Sequence, residues 1–119
     1  MNLFKKLQER AAADNPIRIG MIGAGKFGTM FLAQALRIPA IHIVGVVDLI
    51  PANAKSNMKL AGWSDEAHSA VSLNDAAISS KTYVGDDWQA MITHPAVDIV
   101  IEATGNPLAA VTHCLAAFA

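Results

Sequence analysis

The sequence has few of the residues on which several classes of protein depend. Its single cysteine, Cys114, rules out an internal disulfide framework and fits a reducing cytoplasm, where we expect the protein to reside. Charged residues make up only 16%, and nine basic against ten acidic side chains give a net charge of −1. Because there is no basic stripe, we expect no nucleic-acid partner. The chain also lacks a signal peptide and any apolar run of membrane-spanning length, so we expect no membrane partner.

Metal-ligating residues are sparse too. The four histidines show no paired spacing, and neither H-E-x-x-H nor C-x-x-C occurs, so we predict no metal site. Hydrophobic residues, in contrast, reach 53% of the 119 residues. This proportion is typical of a sheet that is covered on both faces, in a chain long enough for one domain at most.

A glycine-rich stretch follows the first apolar run, residues 17–22, and opens a segment with helical periodicity, residues 26–38. Its glycines have the spacing G-x-G-x-x-G. Gly23 allows a tight turn, Gly25 leaves room for a pyrophosphate, and Gly28 lets the helix pack closely on the strand. Unpaired amides at the start of the helix can hold the diphosphate. We predict that this loop contacts a dinucleotide through Gly23, Ala24, Gly25, Lys26, Phe27 and Gly28.

An acidic residue stands where such a site needs one. Asp48 ends the second apolar run, residues 41–47, twenty residues beyond Gly28. A carboxylate there can accept hydrogen bonds from the adenosine ribose. The alternative is that Asp48 only caps or solvates the end of a strand.

The remaining elements alternate between strands and helices. Residues 1–15 predict an amphipathic helix, and residues 16–119 an incomplete dinucleotide-binding domain. We predict a helix over residues 52–61 that is closed by Gly62. We predict a second helix over residues 75–78 with Asn74 as its N-cap, and a third over residues 87–93 with Asp86 as its N-cap. A last helix should begin at Leu108. We predict the third and fourth strands over residues 82–84 and 97–103.

This alternation implies parallel βαβ units. We therefore predict an α/β fold, a truncated Rossmann-type doubly wound parallel sheet of about four strands in the order 3-2-1-4, with the extra amino-terminal helix. The sheet reverses direction between strands one and four, and ligands bind at such a switch point. The turn after strand four should therefore face the glycine loop, which makes Thr104, Gly105 and Asn106 candidate cofactor contacts. The alternative is an ordinary strand-to-helix turn. Glu102 is equally placed to bond nearby backbone, so we assign it no catalysis.

Four segments carry a resemblance to a known family: IRIGMIGAGKFGTMFLAQAL, IVGVVDLIP, AGWSDE and VDIVIEATGNP. Together they resemble the amino-terminal domain of homoserine-dehydrogenase-like oxidoreductases. The nearest subgroup carries a carboxy-terminal SAF-type domain and includes deoxyxylulose-phosphate-reductoisomerase-like enzymes. The resemblance implies a nicotinamide-dependent oxidoreductase whose Gly23, Gly25, Gly28, Asp48 and Thr104–Gly105 positions meet the cofactor. It also implies a second, substrate-binding domain, absent here, that holds the catalytic groups. No catalytic residue is therefore assigned to this chain.

The cofactor is expected to be NAD(P). Asp48 would repel the 2′-phosphate of NADP and therefore favours NAD. The reductoisomerase-like relatives, in contrast, resemble NADPH users. Lys55 would offset the charge of Asp48 only if the intervening loop folds back. The leading hypothesis is the cofactor-binding part of an oxidoreductase for a small hydroxy, oxo or sugar-phosphate-like substrate. The alternatives are a non-catalytic NAD(H)-sensing module and an S-adenosylmethionine-dependent methyltransferase, although the latter does not explain the Thr104 turn. We expect the 119-residue chain to be inactive alone and to form a homo-oligomer through the edge of strand four.

Overall fold

The computed structural model describes Lys5, Lys6 and Glu9, which are helical, and residues 16–38 and 40–104. The rest of the helix expected over residues 1–15 lies outside the described residues, as do Gly105, Asn106 and the helix expected from Leu108.

Residues 16–38 and 40–104 form four strands and four α-helices, and at least one helix lies between each strand and the next along the chain. The strands are β1 (Ile17–Ile22), β2 (Ile41–Val47), β3 (Tyr83–Gly85) and β4 (Ile99–Glu102). The helices are α1 (Lys26–Ala35), α2 (Pro51–Leu60), α3 (Leu73–Ser79) and α4 (Trp88–Ile92), with a 3₁₀ turn at Glu66–His68. The strands form one parallel sheet in the order β3-β2-β1-β4, which confirms the predicted α/β fold and strand order.

Two glycines lie side by side at the centre of the sheet. Gly20 of β1 pairs with Gly45 of β2, directly after a shift in the register of the two strands. A Cβ atom on Gly45 would lie 2.7 Å from Cδ2 of Leu73, and one on Gly20 would lie 3.0 Å from Sδ of Met91. The missing side chains thus let α3 and α4 pack close to this face, where Met91 is fully buried.

The opposite face of the sheet carries α1 and α2. Leu32 of α1 and Met58 of α2 are fully buried against it, and the Trp63 indole N–H donates to the Leu32 carbonyl at 3.1 Å. Gly62 ends α2 with a φ of +102°, while the Trp63 N–H bonds to the Met58 carbonyl at 2.9 Å. This is the Schellman arrangement, in which glycine takes the left-handed position, so the predicted role of Gly62 is confirmed.

The predicted cap of α3 is wrong. Ser72, not Asn74, is the N-cap, and its hydroxyl accepts a hydrogen bond from the Asp75 N–H at 3.0 Å. The Asp75 carboxylate in turn accepts from the Val71 N–H at 3.1 Å. Two side chains therefore satisfy amides at this end of the helix, in a variation on the capping box. Asn74 already lies inside the helix and is exposed.

Other boundaries shift by one to three residues. Asp87, not Asp86, caps α4 by accepting the Ala90 N–H at 3.0 Å. Helix α1 ends at Ala35 rather than at Ile38, because the chain tightens there into turns ahead of Pro39, and a residue before proline avoids helical geometry. Strand β3 begins and ends one residue later than predicted, and β4 is shorter by two residues at its start and one at its end.

Candidate functional site

The glycine loop joins the carboxyl end of β1 to α1. Gly23 has a φ of +91°, a left-handed conformation that other residues rarely adopt. A Cβ atom on Gly23 would also lie 2.9 Å from the backbone nitrogen of Thr104. The loop therefore touches the end of β4, as predicted from the switch point of the sheet. The contact requires glycine whether or not a ligand binds.

Gly28 also has a role inside the fold. A Cβ atom on Gly28 would lie 2.7 Å from the Gly23 carbonyl oxygen and 3.2 Å from Cε of Met21. Its absence lets α1 approach β1 closely, which is the packing role that the spacing of the motif predicted.

Gly25 differs from both of these glycines. Its φ of −75° suits any residue, and a Cβ atom there would meet nothing within 4 Å. Gly25 is the N-cap of α1 and offers no side-chain cap to the amides of the first turn, which contains no acidic residue and includes the exposed Lys26. These features leave a positively polarised helix end with open space above it, which suits an anion.

Asp48 lies beside this loop. Its Oδ2 accepts the Ala24 N–H at 3.0 Å, and its Oδ1 accepts the Ile50 N–H at 3.1 Å. The carboxylate does cap the end of β2, as the alternative interpretation supposed. Each oxygen still has a second lone pair, so the same group can also accept hydroxyl protons from a ribose.

Asn57 is a polar contact that the sequence analysis missed. Its side-chain amide donates to the Ala24 carbonyl at 2.7 Å, and the Thr29 hydroxyl donates to the same oxygen at 3.2 Å. Asn57 occupies the stripe of α2 that also contains the buried Ala54 and Met58. A polar residue within an apolar helical stripe is the signal that would have identified it.

The end of β4 completes the described part of the site. The Thr104 N–H donates to Oε1 of Glu102 at 2.7 Å, which gives Glu102 the backbone-bonding role considered for it. Gly105, Asn106 and the side chain of Phe27 lie outside the described residues. The described candidates Gly23, Ala24, Gly25, Lys26, Gly28, Asp48 and Thr104 gather where β1, β2 and β4 end.

The chain matches a known protein family over most of its length. Residues 17–118 match a family model described as an oxidoreductase family with an NAD-binding Rossmann fold. The chain belongs to this oxidoreductase family. No curated protein matches the sequence. The narrower resemblance to homoserine-dehydrogenase-like enzymes stays a prediction.

A cavity of about 370 Å³ lies at the other end of the oxidoreductase sheet, near the start of β2. Pro16, His42 and Trp63 are among its lining residues. His42 Nε2 lies 2.6 Å from the Lys81 carbonyl oxygen, and burial lowers the pKa of this imidazole. Because the cavity lies at the amino end of β2, it is separate from the glycine loop, which lies at the carboxyl ends of the strands.

Across the described ranges, no set of three or more histidine, cysteine, aspartate or glutamate side chains is grouped to hold a metal ion. No helix in this part of the chain has the length and hydropathy to cross a membrane.

Proposed function

We propose that this chain is the cofactor-binding part of a nicotinamide-dependent oxidoreductase that acts on a small hydroxy, oxo or sugar-phosphate-like substrate. Membership of the NAD-binding oxidoreductase family supports the reaction class. The substrate class rests on the resemblance of segments such as VDIVIEATGNP to homoserine-dehydrogenase-like enzymes. The single cysteine supports a cytoplasmic location.

Gly25 is the observation that carries the proposal. The conformation of Gly23 and the packing of Gly28 explain those two glycines within the fold, whereas nothing in the described structure requires glycine at position 25. A pyrophosphate on the first turn of α1 would need the space that a side chain on Gly25 would take. A bound pyrophosphate would thus account for Gly25, the second glycine of the motif.

We further propose that the cofactor is NAD rather than NADP. The Asp48 carboxylate is fixed by two backbone amides beside the loop, so its negative charge stands where the adenosine ribose would lie. A 2′-phosphate there would meet electrostatic repulsion. Lys55, the cation considered as compensation, is exposed on α2.

In this proposal the bound nicotinamide supplies or accepts the hydride, and the residues of this chain hold it. The first-turn amides of α1 and Lys26 would hold the diphosphate, and Asp48 would orient the ribose. Thr104, with Gly105 and Asn106, would border the nicotinamide end, since the loop and the end of β4 are in contact. Substrate positioning and acid–base catalysis would come from a second domain outside this sequence.

Replacement of Gly25 tests the proposal. We expect Gly25→Ala to weaken NAD binding and Gly25→Val to abolish it in calorimetric titrations, because each added methyl group occupies the pyrophosphate space. Both variants should melt within a few degrees of the wild type, since a Cβ atom there meets open space. Wild-type affinity in a folded Gly25→Val variant would refute the site.

A non-catalytic NAD(H)-sensing module would use the same loop and the same aspartate. The two hypotheses differ in whether a substrate is turned over. Oxidation of NADH by the complete protein, assayed with a panel of oxo substrates, would favour the enzyme. NAD-dependent binding to a protein partner, without turnover of any substrate, would favour the sensor.

A further inference from the structure

Hydrogen bonds fix both the N–H and the carbonyl group of Ala24. Ala24 is fully buried, its N–H is accepted by Asp48 at 3.0 Å, and its carbonyl accepts from Asn57 at 2.7 Å and from Thr29 at 3.2 Å. The next carbonyl, of Gly25, accepts the Thr29 N–H at 2.8 Å. Of the four N–H and carbonyl groups of Ala24 and Gly25, only the Gly25 N–H has no hydrogen-bond partner among the described residues.

The hydrogen bonds to the Ala24 carbonyl determine the direction of the Gly25 N–H. The carbonyl of Ala24 and the N–H of Gly25 belong to one planar trans peptide, in which the two groups point in opposite directions. Because Asn57 and Thr29 hold the oxygen on the side of α2 and α1, the N–H points to the opposite side. Gly25 is exposed there, with open space around the position of its missing Cβ.

We propose that Asn57 is a positioning residue that aims the Gly25 N–H at the diphosphate of the dinucleotide. The proposal rests on the proposed function of the loop. Asn57 does not touch the cofactor; it fixes the orientation of the peptide that does. A donor held in place before the ligand arrives binds an anion better than one that must first be ordered.

A purely structural role would be to tie α2 to the loop. Helix α2 is already anchored by the fully buried Ala54 and Met58 and by its carboxy-terminal Schellman turn. Loss of the Asn57 contact should therefore change the orientation of one peptide more than it changes the fold. This difference makes cofactor affinity and its pH dependence the decisive measurements.

Asn57→Asp tests the role with almost no change of shape. The carboxylate cannot donate a hydrogen bond and repels the Ala24 oxygen, so we expect NAD affinity at pH 8 to fall about tenfold or more. Asn53→Asp is the matched control. It adds the same charge one turn earlier on α2, at an exposed position, and should change affinity only about two- to threefold.

The pH profile separates positioning from simple damage. A protonated carboxyl group donates a hydrogen bond, so the affinity of Asn57→Asp should recover as the pH falls from 8 to 5, relative to Asn53→Asp. Should Asn57→Asp fail to fold by circular dichroism, Asn57→Ala compared with Asn53→Ala decides the matter, with a selective loss of affinity expected.

Three outcomes are distinguishable. Equal NAD affinities for the position 57 and position 53 variants, in a wild type that binds NAD, would overturn the positioning role alone. A loss of affinity in Asn57→Asp that does not recover at low pH would also overturn it. Failure of the wild-type protein to bind NAD would overturn the proposed function, and the positioning role with it.

Discussion

At the scale of single residues, Asp48 combines two roles that are often assigned to different side chains. It caps the Ala24 and Ile50 amides, and it places a negative charge beside the candidate ribose position. We expect Asp48→Asn to raise the ratio of NADP affinity to NAD affinity about tenfold, because the repulsion of a 2′-phosphate is removed while one oxygen acceptor remains. Calorimetric titrations with both cofactors measure this ratio. An unchanged ratio would mean that Asp48 does not reach the ribose.

His42 provides a second prediction at this scale. Burial lowers its pKa from the usual 6.5, although the bond to the Lys81 carbonyl acts in the opposite direction and the charge of Arg18 lowers it further. As the pH falls below about 6.5, His42 binds a proton in the unfolded chain, whereas in the folded chain it does so only at a lower pH. The free energy of unfolding therefore decreases as the pH falls. Between pH 7 and 5 we expect the melting temperature of the wild type to fall more than that of His42→Gln. Parallel curves for the two proteins would contradict this assignment.

At the scale of the elements, the cap of α3 can be tested with its own matched control. Ser72→Ala removes the hydroxyl that accepts the Asp75 N–H and should lower the free energy of unfolding by about 1 kcal/mol. Asn74→Ala changes an exposed residue within the helix and should be neutral or slightly stabilising. Chemical denaturation of the two variants measures the difference. Equal losses would show that Ser72 does not act as the cap.

The ends of β1 and β2 were predictable to the residue because their apolar runs are sharply bounded. Pro16 and Gly23 flank the first run, and Asp48 follows the second. The cap of α3 was not predictable in the same way, since Ser72 and Asn74 are both good cap residues and only the path of the chain selects between them. Asn57 was missed because its contact with Ala24 joins positions 33 residues apart, on separate elements.

At the scale of the whole molecule, β4 occupies one edge of the described sheet. In the part of the chain that the structure describes, β4 pairs with β1 alone, and Ile99 is 48% exposed. We expect the 119-residue chain to self-associate through this edge, since an exposed apolar edge strand is a template for pairing with another chain. Light scattering should give a mass above that of a monomer, and Ile99→Lys should reduce it. A monodisperse wild-type monomer would exclude the association.

The parallel topology also determines when the site can form during folding. The contact between Ala24 and Asp48 closes 24 residues of chain, whereas the Arg18–Asp98 contact that joins β4 to β1 closes 80. The longer loop adds only about 1 kcal/mol of closure entropy, but such distant contacts form slowly. We therefore expect β1, α1 and β2 to assemble first and β4 to dock last. Since Gly23 packs against Thr104, the glycine loop gains its final surroundings only at that docking step, so competence to bind the cofactor should appear late in folding.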